Sequence, residues 1–198
     1  TASLGTALGE SAGSGITTGT NNTIVGSTAC LSTTEGLKNT AFGYGAIRSC
    51  TTGDNNIGIG YGVGSNLFGQ SIFHLTTEDD RIILGNSEHT NAYIQIDWTV
   101  TSDERDKTEI EDIAHGLSFV KQMRPISYKF NTSREDSTAR GNTKYGFSAQ
   151  DVLALEGDNP VIADNEQTDK LKITSAHIIP VLVKAIQELE ARLAILEG

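Results

Sequence analysis

The sequence predicts two fold classes in one chain: an all-β repeat of β-roll or β-solenoid type, then an α+β domain that ends in a long coiled-coil helix. Three observations carry this expectation. First, glycine and charge are unevenly distributed. Residues 1–101 hold 16 of the 21 glycines, 3 Lys or Arg and 8 Asp or Glu, whereas residues 102–198 hold 5 glycines, 12 Lys or Arg, 17 Asp or Glu and all 3 prolines. Second, the first part repeats every 17 residues. Third, Ile179, Leu182, Ile186, Leu189, Leu193 and Leu196 alternate gaps of three and four, which is a heptad stripe.

Taken in chain order, the repeats begin GTALGESA at Gly5, NTIVGSTA at Asn22, NTAFGYGA at Asn39 and NIGIGYGV at Asn56, and the series ends at Gln70. Gly9, Gly26, Gly43 and Gly60 fall in one column, Leu8, Val25, Phe42 and Ile59 in a second, and Ala12, Ala29, Ala46 and Val63 in a third. Units this short cannot close a core alone, so neighbours must stack and bury a shared apolar column. Short apolar stretches between Gly, Asn and Thr turns fit strands, one coil per repeat. With only two or three apolar side chains per repeat, a lone chain is expected to be marginal, and association of several chains along one axis would solve the burial problem. Residues 1–70 are therefore read as fibre-like β repeats. Residues 71–101 are read as a β transition segment, with strands at Arg81 to Gly85 and along the alternation Ile94, Ile96, Trp98 and Val100.

Residues 102–198 change character. Ile110, Ile113, Leu117, Val120 and Met123 predict a helix that stops before Pro125. Ile126 to Phe130 alternates like a strand, residues 131–144 read as an exposed loop, and Lys144 to Leu155 as a strand passing into a short helix. Residues 170–174 read as another strand, and residues 176–197 as the terminal coiled-coil helix.

Several functions are disfavoured. The formal net charge of −10, with −5 in each half, argues against a nucleic-acid partner. No stretch approaches the roughly 20 apolar residues of a membrane span. Gly58, Gly60, Gly62 and Gly64 alternate without giving a nucleotide-binding fingerprint, so no cofactor is expected. Cys30 and Cys50 read as free thiols, and His74, Glu78, Asp79, Asp80 and His89 as turn residues without metal-ligand spacing. Glu10, Glu35 and Asp54 are too few and too turn-like for a glycan-cleaving carboxylate pair.

The stretch TSDERDK, Thr101 to Lys107, sits where composition changes. Thr101 followed by Glu104 has the form of a capping box at a helix start. Ser102 and Lys107 also have the residue types of a nucleophile and its base. Three acids close by, Asp103, Glu104 and Asp106, favour a charged lysine, the wrong form for a base. Five positions span about 140° around an ideal helix, so the two would not meet on one. A dyad needs Ser102 outside regular helix, or a lysine from a neighbouring chain.

TSDERDKTEI, RPISYKF, KYGFSAQDV and IIPVLVKAIQELEARL, in that order, resemble the C-terminal intramolecular chaperone domain of phage tailspikes and tail or neck fibres, whose type member is the endosialidase tailspike. The upstream repeats resemble those of trimeric bacterial adhesin heads and phage fibre shafts. A related domain occurs in membrane-tethered transcription factors of the myelin regulatory type. The resemblance implies a domain that trimerises the fibre ahead of it, cuts the chain just before the serine of an S-D-E-R-x-K motif and is released. Here that bond is Thr101–Ser102, with Ser102 as nucleophile and Lys107 as base, Arg105 positioning carboxylates and Gln150 as a supporting polar contact. Asp106 departs from the apolar residue common there. The first free amides after Ser102 are expected to face the oxyanion. The implied setting is a virion fibre assembled in the host bacterial cytoplasm, with itself as homotrimeric partner and a host cell-surface glycan as a further one. The alternative reading keeps a trimeric fibre or adhesin with a permanent coiled-coil clamp and no cleavage.

Overall fold

The computed structural model describes residues 5–65 and 71–197, so the expected end of the repeats at Gln70 lies outside the described residues. The chain forms two compact units, residues 1–92 with 131–140, and residues 93–130 with 141–198.

The first unit is a parallel β-solenoid. Five three-residue strands, β1 (Thr6–Leu8), β2 (Thr23–Val25), β3 (Thr40–Phe42), β4 (Ile57–Ile59) and β5 (Ile82–Leu84), pair in sequence order. Thr6 faces Thr23, Thr23 faces Thr40, Thr40 faces Ile57 and Ile57 faces Ile82, so the last step is longer than the repeat. Because successive strand side chains point to opposite faces, the middle residues Ile24, Ala41 and Ile83 enter the core, where they meet Ala29, Ala46, Ile47, Val63, Phe73 and Leu75. The alanine column is thus interior. The Leu8, Phe42 and Ile59 column, joined by Leu84, instead faces outward and is exposed. A lone chain does fill its own interior, and it leaves an apolar stripe outside.

Polar ladders hold the coils in step. Asn22, Asn39 and Asn56 are fully buried. Asn22 Nδ2 donates to Gly36 O, Asn39 Nδ2 to Gly53 O and Asn56 Nδ2 to Glu78 O, each at 2.8 Å. Asn22 Oδ1 accepts from Asn39 N at 2.8 Å and Asn39 Oδ1 from Asn56 N at 2.9 Å. Asn56 Oδ1 accepts from Arg81 N at 2.9 Å, which ends the ladder on the longer step. Gly26, at φ 138°, shows why its column is glycine: a Cβ there would strike the Gly43 carbonyl one coil on.

In the second unit, α1 (Leu117–Gln122) precedes a hairpin of β6 (Ile126–Asn131) and β7 (Ala139–Gly146), of which residues 131–140 are grouped with the first unit. Then come α2 (Ala149–Glu156), a short antiparallel pair of β8 (Ala163–Asp164) and β9 (Lys172–Ile173), and α3 (Ile178–Glu197). Its core gathers Phe119, Val152, Ile162, Ala163, Ile178 and Val181. Ser148 caps α2 by accepting from Asp151 N at 3.3 Å. Glu188 of α3 serves α1 in the same way, its Oε2 accepting from Leu117 N at 2.8 Å.

Three local expectations are corrected. The helix predicted from Ile110 is confined to Leu117–Gln122, because Glu109 sits in the left-handed region at φ 54° and Gly116 begins the helix. Residues 94–100 form no strand, since a strand needs a partner for its ladder. The loop expected over 131–144 is shorter, as β7 already starts at Ala139.

Candidate functional site

The stretch from Thr101 to Lys107 is built around a single 3-10 turn, Glu104–Asp106. Thr101 does not cap it. Asp103, extended at φ −65° and ψ 133°, is the N-cap, and its Oδ1 accepts from Arg105 N at 2.9 Å. Asp106 N donates to Asp103 O at 3.2 Å and Lys107 N to Glu104 O at 3.1 Å. Lys107 then leaves extended, at φ −117° and ψ 150°.

One tight turn between two extended residues reverses the chain, and this brings Ser102 and Lys107 together. Lys107 Nζ lies 2.8 Å from Ser102 Oγ and donates at 3.1 Å to Ser102 O. The helical objection to a five-residue spacing therefore does not apply, because Ser102 stands outside regular helix and the lysine comes from its own chain. A charged ammonium donates across this contact and has no lone pair to accept with, so only a neutral amine at this position can act as a base toward Oγ.

The acidic neighbours are arranged differently from the expectation. Arg105 grips Asp103, with Nε 3.0 Å from Oδ1 and Nη2 2.6 Å from Oδ2. The guanidinium, with its backbone amide, holds the Asp103 carboxyl below the usual range. Among the described residues, none of Asp103, Glu104 and Asp106 forms an ion pair with Lys107. Arg105 thus positions a carboxylate. The amides of Arg105, Asp106 and Lys107 are spent inside the turn, which leaves those of Asp103 and Glu104 as the candidates for the oxyanion donors expected after Ser102.

Gln150 lies in the first turn of α2, where its Oε1 accepts from Ser148 Oγ at 3.2 Å. Among the described residues it makes no hydrogen bond to Ser102 or Lys107. The stripe Ile179, Leu182, Ile186, Leu189, Leu193 and Leu196 stands on α3 with 42–82% exposure, while Ile178, Val181 and Ala185, which flank it on the adjoining side of the helix, are buried in the unit's own core. Every residue from Tyr93 to Ala114 is exposed, including Trp98 and Val100 just before the Thr101–Ser102 bond. The capping role of Asp103 is not what the Thr101–Glu104 pattern suggests. Its signal is nonetheless in the sequence, since Asp is a favoured N-cap and carries an acceptor for the second amide of a turn.

Among the described residues no group of His, Cys, Asp and Glu could hold a metal ion, and no helix is long and apolar enough to cross a membrane. Residues 102–159 match the family model described as chaperone of endosialidase. The match starts at Ser102 and spans α1, the hairpin and α2 but not α3. No curated protein and no solved structure matches the chain.

Proposed function

We propose that residues 102–159, which match the chaperone-of-endosialidase family model, act as an intramolecular chaperone for a phage tailspike or fibre, trimerise the β-solenoid ahead of them and then cut the chain at Thr101–Ser102. The observation that carries the cutting is the 2.8 Å contact between Lys107 Nζ and Ser102 Oγ. The family's name, which places it among the peptidases, supports the same reading.

The reaction is an intramolecular acyl transfer. Neutral Lys107 takes the Oγ proton as Oγ attacks the Thr101 carbonyl carbon. The Thr101–Ser102 carbon–nitrogen bond breaks, and the Ser102 nitrogen leaves with the proton returned by the lysine. The resulting ester between the Thr101 acyl group and Ser102 Oγ is opened by water, giving a Thr101 carboxylate and a free Ser102 hydroxyl. Nucleophile and scissile carbonyl are neighbours in the chain, so proximity is built in without a substrate pocket.

Trimerisation is supported by what a single chain leaves uncovered: the α3 stripe and the apolar residues from Tyr93 to Val100. A trimer that covers them also withdraws Lys107 from water, and desolvation favours the neutral amine that the reaction needs. Cutting then follows assembly. The setting that fits is a virion fibre built in the host cytoplasm, with host-surface glycan as the ligand class for the β repeats.

The test is the denatured mass of freshly made protein beside Ser102→Ala and Lys107→Ala. The native chain of 21.1 kDa is expected to split into two pieces meeting at Thr101 and Ser102. Both variants are expected to stay whole, consistent with the ~10²–10⁴-fold share of a general base in such steps. A native chain that remains at 21.1 kDa after prolonged incubation selects the permanent clamp instead.

A further inference from the structure

We propose that Asp103 is a positioning residue for the cut: its carboxylate, clasped by Arg105, caps the turn that folds Lys107 back onto Ser102. This rests on the reading of Ser102 and Lys107 given above and adds a residue that touches neither reacting atom.

Ser102 and Lys107 are separated by four residues that offer no buried side chain to anchor them, since every residue from Tyr93 to Ala114 is exposed. Packing therefore does not fix the lysine's place. Within the turn, the order comes from polar contacts centred on Asp103. Its backbone carbonyl accepts from Asp106 N at 3.2 Å, and its Oδ1 accepts from Arg105 N at 2.9 Å. The Arg105 side chain closes a second loop on the same carboxylate, through Nε at 3.0 Å to Oδ1 and 3.2 Å to Oδ2, and Nη2 at 2.6 Å to Oδ2. A planar guanidinium on a planar carboxylate is a directional pair that holds the carboxylate's rotation. With Asp103 fixed, the turn delivers Lys107 in extended geometry beside Ser102.

Asn is about as good an N-cap as Asp because its carbonyl oxygen accepts the same amide, whereas Ala has nothing to offer. The two substitutions therefore separate capping from charge. The measurement is the cleavage time course by denatured mass, at several pH values, for native protein, Asp103→Asn, Asp103→Ala and Arg105→Ala, with Ser102→Ala as the uncut control. Asp103→Ala is expected to slow cutting about 100-fold, the cost of an ångström-scale misplacement of a reacting group. The loss should be the same factor across the pH–rate profile. Asp103→Asn should recover most of the rate, and Arg105→Ala, which leaves the backbone cap intact, should fall between. The hydrogen bonds that these substitutions remove are local and exposed, and native gel filtration checks that each variant assembles.

Cutting at the native rate by Asp103→Ala overturns the proposal while leaving the dyad standing. So does Asp103→Asn as slow as Asp103→Ala, or a profile displaced along the pH axis, because either makes charge the operative property. A native chain that never cuts removes the dyad reading and this role with it.

Discussion

At the scale of single residues, burial and local hydrogen bonds decide what each side chain can do. Cys30 and Cys50 lie in the solenoid interior, and burial pushes their thiols up to about 12 and about 11. Only the thiolate alkylates readily. Native protein at pH 8 is therefore expected to resist iodoacetamide for hours, and protein in denaturant to take two equivalents, as read by mass. From spacing alone the Ser102–Lys107 pair is legible only as two residue types, since helical spacing argues against contact, and it is the resemblance of TSDERDKTEI that singles the two out. What joins them is the Asp103 cap, a feature of backbone geometry that the Thr101–Glu104 pattern obscures.

At the scale of elements, the repeat is legible because each column has one physical task. Asn39 shows the tightest of these: its Oδ1 accepts from Asn56 N and its Nδ2 donates to Gly53 O, both in the dry interior. Asn39→Ala on a Ser102→Ala background is expected to destabilise the protein by about 1–3 kcal/mol for each group left unpaired. Exposed Asn91→Ala should stay within about 0.5 kcal/mol, and thermal unfolding compares the two. Strand and helix limits are less legible. A period of three and four from Ile110 onward suggests a helix, yet Ile110 and Ile113 are exposed and the helix begins only after Gly116. On α3 the same periodicity does coincide with helix, where the exposed stripe runs beside a buried row of Ile178, Val181 and Ala185. If the proposed trimer forms through this stripe, Leu189→Asp on the exposed face leaves the unit folded and shifts sedimentation from trimer to monomer. On the proposed reading it also stops the cut.

At the scale of the whole molecule, a parallel solenoid has non-local pairing in every coil, with strand partners 17 residues apart and then 25. Such pairing is slow to form and open to misassembly. On the proposed reading, a clamp that gathers three chains raises their local concentration, and its removal after assembly makes unfolding difficult to reverse. Denatured and diluted side by side, Ser102→Ala protein is expected to regain its trimer, and cleaved protein freed of residues 102–198 to fail. Equal recovery would refute the chaperone's role in folding the solenoid.

By itself the sequence determined the 17-residue solenoid, the heptad stripe and the resemblance of the second half. Each is written in composition or in the spacing of side chains along one element, which physics reads locally. The tertiary structure alone decided which apolar column lies inside the solenoid, because the inward face follows from strand pairing. It also decided that residues 94–100 stay unpaired within one chain, and that Lys107 reaches Ser102 through a capped reversal. Those outcomes depend on pairing between distant coils or on backbone dihedrals, and neither is carried by the identity of one residue at a time.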